Sequence, residues 1–379
     1  MRIGIVSETF LPKWDGVANT VCHLLEHLRE RGHEAIMLAP EGAPSQYAGT
    51  RIFGQPKFAC PFYPPLQIVM PRKNLGTELY DFAPDIVHMV NPAFMSMVAL
   101  RRARSLGVPV LMSYHTDIPG YLAKYGLGFF TEAAWGFFRW VHNEADLNVC
   151  PTRTCQDELE ERGLERLAIW GRGVDTQIYN PGRRKAAVRE RLTDGHPEAP
   201  LMVYVGRLAV EKRVDVLRPM MDAFPEARLA IVGDGPLREE LGTLFAGTHT
   251  HFAGYLSGTE LAEAYAAGDV FVFPGEHETF GNVVMEAQAS GMPVLAARAG
   301  GPIDHVFDGR NGFLFNPGDG HDLVAKLGPL LADESYRQEL AQGALEYARS
   351  QTWEMIMDSL LEKYEMLVQE NRAMTLRAG

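Results

Sequence analysis

Four cysteines in 379 residues, Cys22, Cys60, Cys150 and Cys155, are too few and too irregularly spaced for a disulfide scaffold or a zinc site. Reduced, buried thiols in the cytoplasm are the expectation. Positive charge is also short: 36 Lys and Arg against 48 Asp and Glu leave a net charge of −12, which speaks against a nucleic-acid partner. No apolar run approaches the ~18–20 residues of a membrane span, and the opening MRIGIVSETF is too short a stretch for a secretory leader and reads as a strand. No Asp-x-Asp pair occurs, so the usual carboxylates for a metal-bound nucleotide are missing and no metal is expected. The histidines of HTH, 249–251, alternate faces along an expected strand, which does not suit zinc. There is no short repeat and no low-complexity tract.

What is present is globular: 46% hydrophobic and 22% charged residues. The length suggests two domains, at ~100–200 residues each. Short apolar runs alternate with helical patterns. IGIV (3–6), EAIMLA (34–39), DIVHMV (85–90), VPVLMSYH (108–115) and DLNVC (146–150) are expected strands. Between the first two, 17–32 carries Val21, Leu24, Leu25 and Leu28 on one stripe and stops at Gly32. The pattern restarts with LMVYVGR (201–207), ARLAIVGDG (227–235), HTHFAGY (249–255), DVFVFPG (269–275) and MPVLAAR (292–298). Strands separated by helices predict parallel sheets buried on both faces. The fold class is therefore α/β, with two Rossmann-like doubly wound domains facing across a cleft. The N-terminal domain is expected over 1–175, joined by an amphipathic C-terminal helix over 356–379, and the second domain over 176–355. Ligands of such sheets sit at the carboxyl ends of strands.

Charge is divided unevenly. Residues 1–180 hold 17 basic and 19 acidic residues, leaving 19 and 29 for the remainder, so the first half is freer to approach an anionic surface. It also contains two aromatic segments, 57–73 and 125–142, flanked by Lys57, Arg72 and Lys73. Aromatics beside cations suit a membrane interface, although a stripe of this kind equally describes core.

Several strand ends carry chemistry. Gly206 and Arg207 follow one strand, with Glu211 and Lys212 just beyond. The planar fork of Arg207 and the compact charge of Lys212 suit a diphosphate; a solvated pair with Glu211 is the plainer alternative. Gly233 and Gly235 end the next strand without the third glycine of G-x-G-x-x-G, so they serve either the turn itself or the wall of a nucleobase site. Gly16 precedes a helix whose first amides suit an anion, or is an ordinary turn glycine. His115 and Asp117 end a strand, where they can donate to and accept from a sugar hydroxyl, unless the histidine is tied to local backbone. Glu278 and Glu286 flank a loop-to-helix turn, and each carboxylate can accept paired bonds from vicinal hydroxyls.

GRLAVEK, GDGP, FAGY, HETFGNVVMEAQASGMPVLA and GGPIDHV occur in an order and spacing that resembles family-four retaining glycosyltransferases of GT-B fold. The resemblance spans nearly the whole chain. It implies His115, Arg207, Lys212 and Glu278 as catalytic residues, with Glu278 on the transferred sugar and Arg207 and Lys212 on the diphosphate. It implies Gly16, Gly206, Gly233, Gly254, Phe280, Gly281, Asn282 and Glu286 as donor contacts, Glu286 on the ribose, and Asp117, Tyr121 and Arg172 as acceptor contacts.

ETFLPKWDGVANTV, VNPAFMS, SYHTDIPGYLAKYGLG and WGRGVDTQIYNP are most similar to the branch of sulfoquinovosyl diacylglycerol synthases and their glycolipid glucosyl- and mannosyltransferase relatives. In the sulfolipid enzymes a second histidine tends to stand where this chain has Asp117, and a carboxylate there disfavours an anionic sulfonate. The resemblance thus implies a retaining, metal-independent hexosyltransferase without cofactor. It would use a UDP- or GDP-linked sugar and a lipid acceptor such as diacylglycerol, in the cytoplasm or peripherally on the cytoplasmic face of a membrane. The alternatives are a GDP-mannose-dependent α-mannosyltransferase acting on a glycan or inositol lipid and, more remotely, a sugar-nucleotide 2-epimerase or a non-catalytic sensor.

Overall fold

The computed structural model describes residues 1–13, 15–60, 63–70, 75–115 and 131–378, with backbone alone at 59–60, 63–68, 75–76 and 378. The chain divides into two compact units, one formed by Met1–Gly171 with Glu354–Gly379 and the other by Arg172–Trp353. These boundaries fall a few residues before those expected at 175 and 355. The reason is local pairing: the Val174 N–H donates to the Gln351 carbonyl at 2.9 Å, and a Cβ on Gly173 would lie 2.4 Å from the Trp353 backbone. The outgoing and returning segments therefore lie side by side within the second unit.

The first unit is built on β1 (Arg2–Ser7), β2 (Glu34–Pro40), β3 (Gln46–Tyr47), β4 (Thr50–Gln55), β5 (Lys57–Cys60), β6 (Tyr63–Val69), β7 (Ile86–Val90), β8 (Val110–Ser113), β9 (Leu147–Cys150) and β10 (Leu167–Ile169). Its main sheet runs β10-β9-β8-β7-β1-β2-β4-β3, parallel except for β3 against β4, while β5 and β6 form a separate antiparallel ribbon. Every residue of β7 and β8 is buried, as helices on both faces require. The helix Gly16–Glu30 buries Val17, Val21, Leu24, Leu25 and Leu28 on one face. The helix Trp353–Ala378 packs back onto this unit by fully burying Leu360 and Tyr364, contacts worth ~1.5–3 kcal/mol for each large side chain. Around that seam His27 bonds Asp358 at 2.7 Å, Arg31 pairs with Asp358 at 2.6 Å and Glu354 at 3.0 Å, and Arg372 pairs with Asp85 at 2.9 Å.

The second unit holds β11 (Leu201–Val205), β12 (Arg228–Val232), β13 (Thr250–Gly254), β14 (Val270–Phe273), β15 (Val294–Ala297) and β16 (Gly312–Phe315), all parallel, in the order β13-β12-β11-β14-β15-β16. Tyr204, Phe271 and Phe315 fill its core. Strand order reverses between β1 and β7 in the first unit and between β11 and β14 in the second. Loops at the carboxyl ends diverge at such reversals and leave a crevice.

Candidate functional site

In the second unit the reversal brings together the loops after β11 and β14. Gly206 and Arg207 follow β11, and a Cβ on Gly206 would lie 2.6 Å from the Tyr204 hydroxyl oxygen, which leaves room only for glycine. The Arg207 side chain is exposed and, among the described residues, makes no ion pair. Lys212, one short 3-10 turn later, does not pair with its neighbour Glu211. Its ammonium pairs with Glu278 in the loop after β14, and each side chain is about one-fifth exposed. The expected cation and the expected sugar-binding carboxylate are thus neighbours. Arg213 adds a second pair, its guanidinium 3.0 Å from Glu276.

The Glu278 loop is held by a glycine pair that the sequence reading gave no role. The Gly301 N–H donates to the Glu278 carbonyl at 2.7 Å. A Cβ on Gly300 would stand 2.4 Å from that same oxygen, and one on Gly301 would stand 2.5 Å from the Phe280 Cα. Phe280 is buried with its ring 4.3 Å from that of His305. Gly281 then turns the chain at φ 92° into the helix Asn282–Ala289, a left-handed conformation that costs other residues energy. The Asn282 Oδ1 is buried and, among the described residues, has no hydrogen-bond partner.

Glu286 lies on that helix and is oriented by a phenol. Tyr265 donates its hydroxyl hydrogen to Oε2 at 2.8 Å, and the ring of Tyr179 packs edge-to-face with that of Tyr265, centroids 5.6 Å apart. Burial pushes the Glu286 carboxyl up to about 7, with the Tyr265 and Tyr179 hydroxyls opposing the rise. A carboxylate has about four lone-pair sites, so the Tyr265 hydroxyl leaves capacity for a diol.

The glycines at the neighbouring strand ends have a backbone role. The Gly206 N–H donates to the Val232 carbonyl at 3.0 Å, and the Gly233 N–H to the Gly254 carbonyl at 2.8 Å. A Cβ would lie 1.9 Å from the Gly206 oxygen at Gly233 and 2.4 Å from the Leu208 oxygen at Gly235. These glycines let three strand ends close against each other. Gly254 instead needs its φ of 73°, with open space around it. Arg172 is buried at the start of this unit.

The first unit carries the remaining candidates. Gly16 does begin a helix, but Asp15 caps it: its Oδ1 accepts from Val17 N–H at 3.1 Å and Ala18 N–H at 2.9 Å. Two amides expected to be open to an anion are therefore engaged by a carboxylate, which corrects the simple picture of that helix start. His115 is buried just beyond β8, with its backbone N–H on Asn91 Oδ1 at 3.0 Å and its Nε2 2.8 Å from Ser113 Oγ. Asp117 and Tyr121 lie outside the described residues. Among the described residues, no helix is long and apolar enough to cross a membrane. The helix Thr131–Asn143, whose aromatics read equally as core or interface, divides between the two: Phe138 and Val141 are buried, Trp140 is exposed.

One residue was missed altogether. Glu8, one position past β1 at the strand-order reversal, accepts from the Met95 N–H at 2.9 Å and the Ser96 N–H at 3.2 Å at the start of the helix Phe94–Leu106. Burial pushes its carboxyl up to about 7 against those backbone bonds. Its place directly after a strand was the available signal.

Residues 14–178 match the family described as Glycosyltransferase Family 4, and residues 191–347 that described as Glycosyl transferases group 1. The chain is 42% identical over 347 residues to the sulfoquinovosyl transferase SQD2 of Arabidopsis thaliana, covering 89% of this chain and 68% of that one. It is 40% identical over 373 residues to a GDP-mannose-dependent alpha-mannosyltransferase of Mycobacterium tuberculosis, covering 96% of both. Among solved structures, Anabaena Alr3699/HepE in complex with UDP superposes with a TM-score of 0.78 at 18% identity, over 97% of this chain and 100% of that one.

Proposed function

The chain belongs to glycosyltransferase family 4 and has its GT-B fold of two Rossmann-like domains, and on that premise we propose that it transfers a sugar, with retention, from a nucleoside diphosphate to a lipid acceptor such as diacylglycerol. The supporting observation is the Lys212–Glu278 pair at the strand-order reversal. A sugar nucleotide is anionic at its diphosphate and rich in hydroxyls at its sugar. It offers Lys212 a replacement anion and Glu278 replacement donors at once, so the pair can exchange partners without stranding either charge. Glu286, oriented by Tyr265, takes the ribose diol.

In the proposed reaction the bond from the anomeric carbon to the diphosphate oxygen breaks, and a bond to the acceptor oxygen forms on the same face. The acceptor proton passes to the departing phosphate. Negative charge grows on that phosphate, where Arg207 and Lys212 stabilise it as it develops. Those two cations take the place of a divalent ion, so no metal or cofactor is required. Work on a lipid would be done peripherally, at the cytoplasmic face of a membrane.

A second reading, GDP-mannose-dependent mannosyl transfer to a glycan or inositol lipid, draws on the mannosyltransferase relative that matches over 96% of both chains and on Asp117, whose charge opposes a sulfonate. Thermal stabilisation across UDP- and GDP-linked sugars tests both, because a bound ligand raises apparent stability with its affinity. One donor should stabilise the protein and be consumed only with acceptor present, EDTA having no effect. Failure of every donor to bind, or epimer formation without acceptor, would overturn the assignment.

A further inference from the structure

Behind His115 runs a closed line of hydrogen bonds. The Ser113 hydroxyl lies 2.8 Å from His115 Nε2 and 2.8 Å from His88 Nε2, and His88 Nδ1 lies 2.6 Å from the Tyr364 hydroxyl. Ser113, His88 and Tyr364 are fully buried, and His115 nearly so. His88 stands on β7, Ser113 ends β8, and Tyr364 lies on the helix Trp353–Ala378. Trp170 packs against both imidazoles at steep angles of 69° and 78°, its ring centroid 5.5 Å from each. The ring planes are therefore held, and the freedom left is where the hydrogens lie.

That freedom is removed by counting donors. Burial drives His88 down to about 3, so it is neutral and carries one N–H; burial likewise keeps the Tyr364 phenol protonated. Among the described residues, His88 Nδ1 is the partner of the Tyr364 hydroxyl, and a buried O–H left without an acceptor is costly. Tyr364 must therefore donate to His88 Nδ1. The single His88 hydrogen is then on Nε2 and donates to Ser113. Ser113 has accepted on that side, and its own hydrogen turns to His115 Nε2.

We infer that Tyr364, through His88 and Ser113, is a positioning residue that fixes His115 as the tautomer with its hydrogen on Nδ1. Any hydrogen bond that His115 makes through Nδ1 is then one in which it donates, and a proton on its Nε2 would displace the Ser113 hydrogen from its acceptor. The role assigned to His115 rests on the transferase reading above; the tautomer does not.

Long-range nitrogen–proton correlation spectra of the full chain with 15N-labelled histidine test this, with the His115 signals assigned through His115→Gln. The wild-type ring should show its hydrogen on Nδ1. Tyr364→Phe removes the donor that orients His88 and should leave His115 a mixture of tautomers. Its kcat should fall by about ten- to a hundredfold, the loss usual for partners that fix a histidine tautomer in metal sites, with the donor KM unchanged. Ser113→Ala, which breaks the line at its other end, should give the same spectrum and serves if Tyr364→Phe does not fold. A wild-type His115 protonated on Nε2, or an Nδ1–H tautomer unchanged in both variants, overturns the inference whether or not transfer is observed. Absence of transfer by a wild type with the expected tautomer overturns the transferase reading alone.

Discussion

Lys212 and Glu278 stand against each other across the point where the strand order of the second unit reverses. Neither charge is fully solvated, and each is the other's partner. A double-mutant cycle should therefore show strong coupling. Lys212→Ala and Glu278→Ala should each lower turnover by about 10²–10³-fold, as for a lost transition-state contact, and the double variant should lose far less than the product. Each single variant should also lower stability, because it leaves the other charge largely buried without this partner, and the double variant should lower it less. Independent effects in steady-state kinetics would separate the two residues functionally.

Glu286 makes stability depend on pH. Burial pushes its carboxyl up from 4.5 to about 7 in the folded chain, so the unfolded chain releases that proton first. The contribution is complete below 4.5 and is lost as pH climbs through 7. Glu286→Gln removes this, so the variant should gain stability relative to wild type between pH 5 and pH 8 in urea titrations. A difference that stays constant with pH would show that the carboxyl ionises normally.

Gly300 leaves no room for a side chain, at φ 58° and with a prospective Cβ 2.4 Å from the Glu278 carbonyl. Gly300→Ala should displace the Glu278 loop and reduce donor affinity. It should cost stability by roughly 1–3 kcal/mol, the range for a strained backbone position. Unaltered donor affinity by calorimetry would separate the glycine from the site.

Ala93 offers the helix Phe94–Leu106 no side-chain cap, and Glu8 reaches across from β1 to supply one. Glu8→Ala should lower stability by about 0.5–2 kcal/mol, as for other lost caps, measured by thermal unfolding. Full stability in the alanine variant would mean that another group satisfies those amides.

Trp140 and Phe94 are each about half exposed, with Phe137 between their rings at centroid distances of 6.2 and 6.4 Å. If the protein works on a lipid, this face of the first unit is where it meets the surface. Co-sedimentation with anionic vesicles should be lost in a Trp140→Ala, Phe94→Ala variant. Equal binding by that variant would move the contact elsewhere.

The strands that frame the site were legible because parallel strands buried on both faces must be apolar throughout: LMVYV became β11, and VFVF within DVFVFPG became β14. The ribbon β5–β6 was not, because Pro64 and Pro65 inside β6 withhold two backbone donors and argue against a strand; a two-stranded ribbon with an open edge tolerates that loss. Glycines, Lys212 and the two glutamates stood out by their places after strands. The partners that orient them did not. Tyr265 reaches Glu286 across 21 residues, and Glu8 meets a helix more than 80 residues away, relationships that only the closed fold creates.

The order in which the chain leaves a ribosome is not the order in which its parts can finish. Arg172–Trp353 is one uninterrupted stretch, whereas the first unit lacks Tyr364, Leu360 and Asp358 until the last segment emerges. The nascent N-terminal half must wait with a hydrophobic seam uncovered while the later half completes itself, so truncation of the final helix should leave a chaperone-bound product rather than a smaller working enzyme.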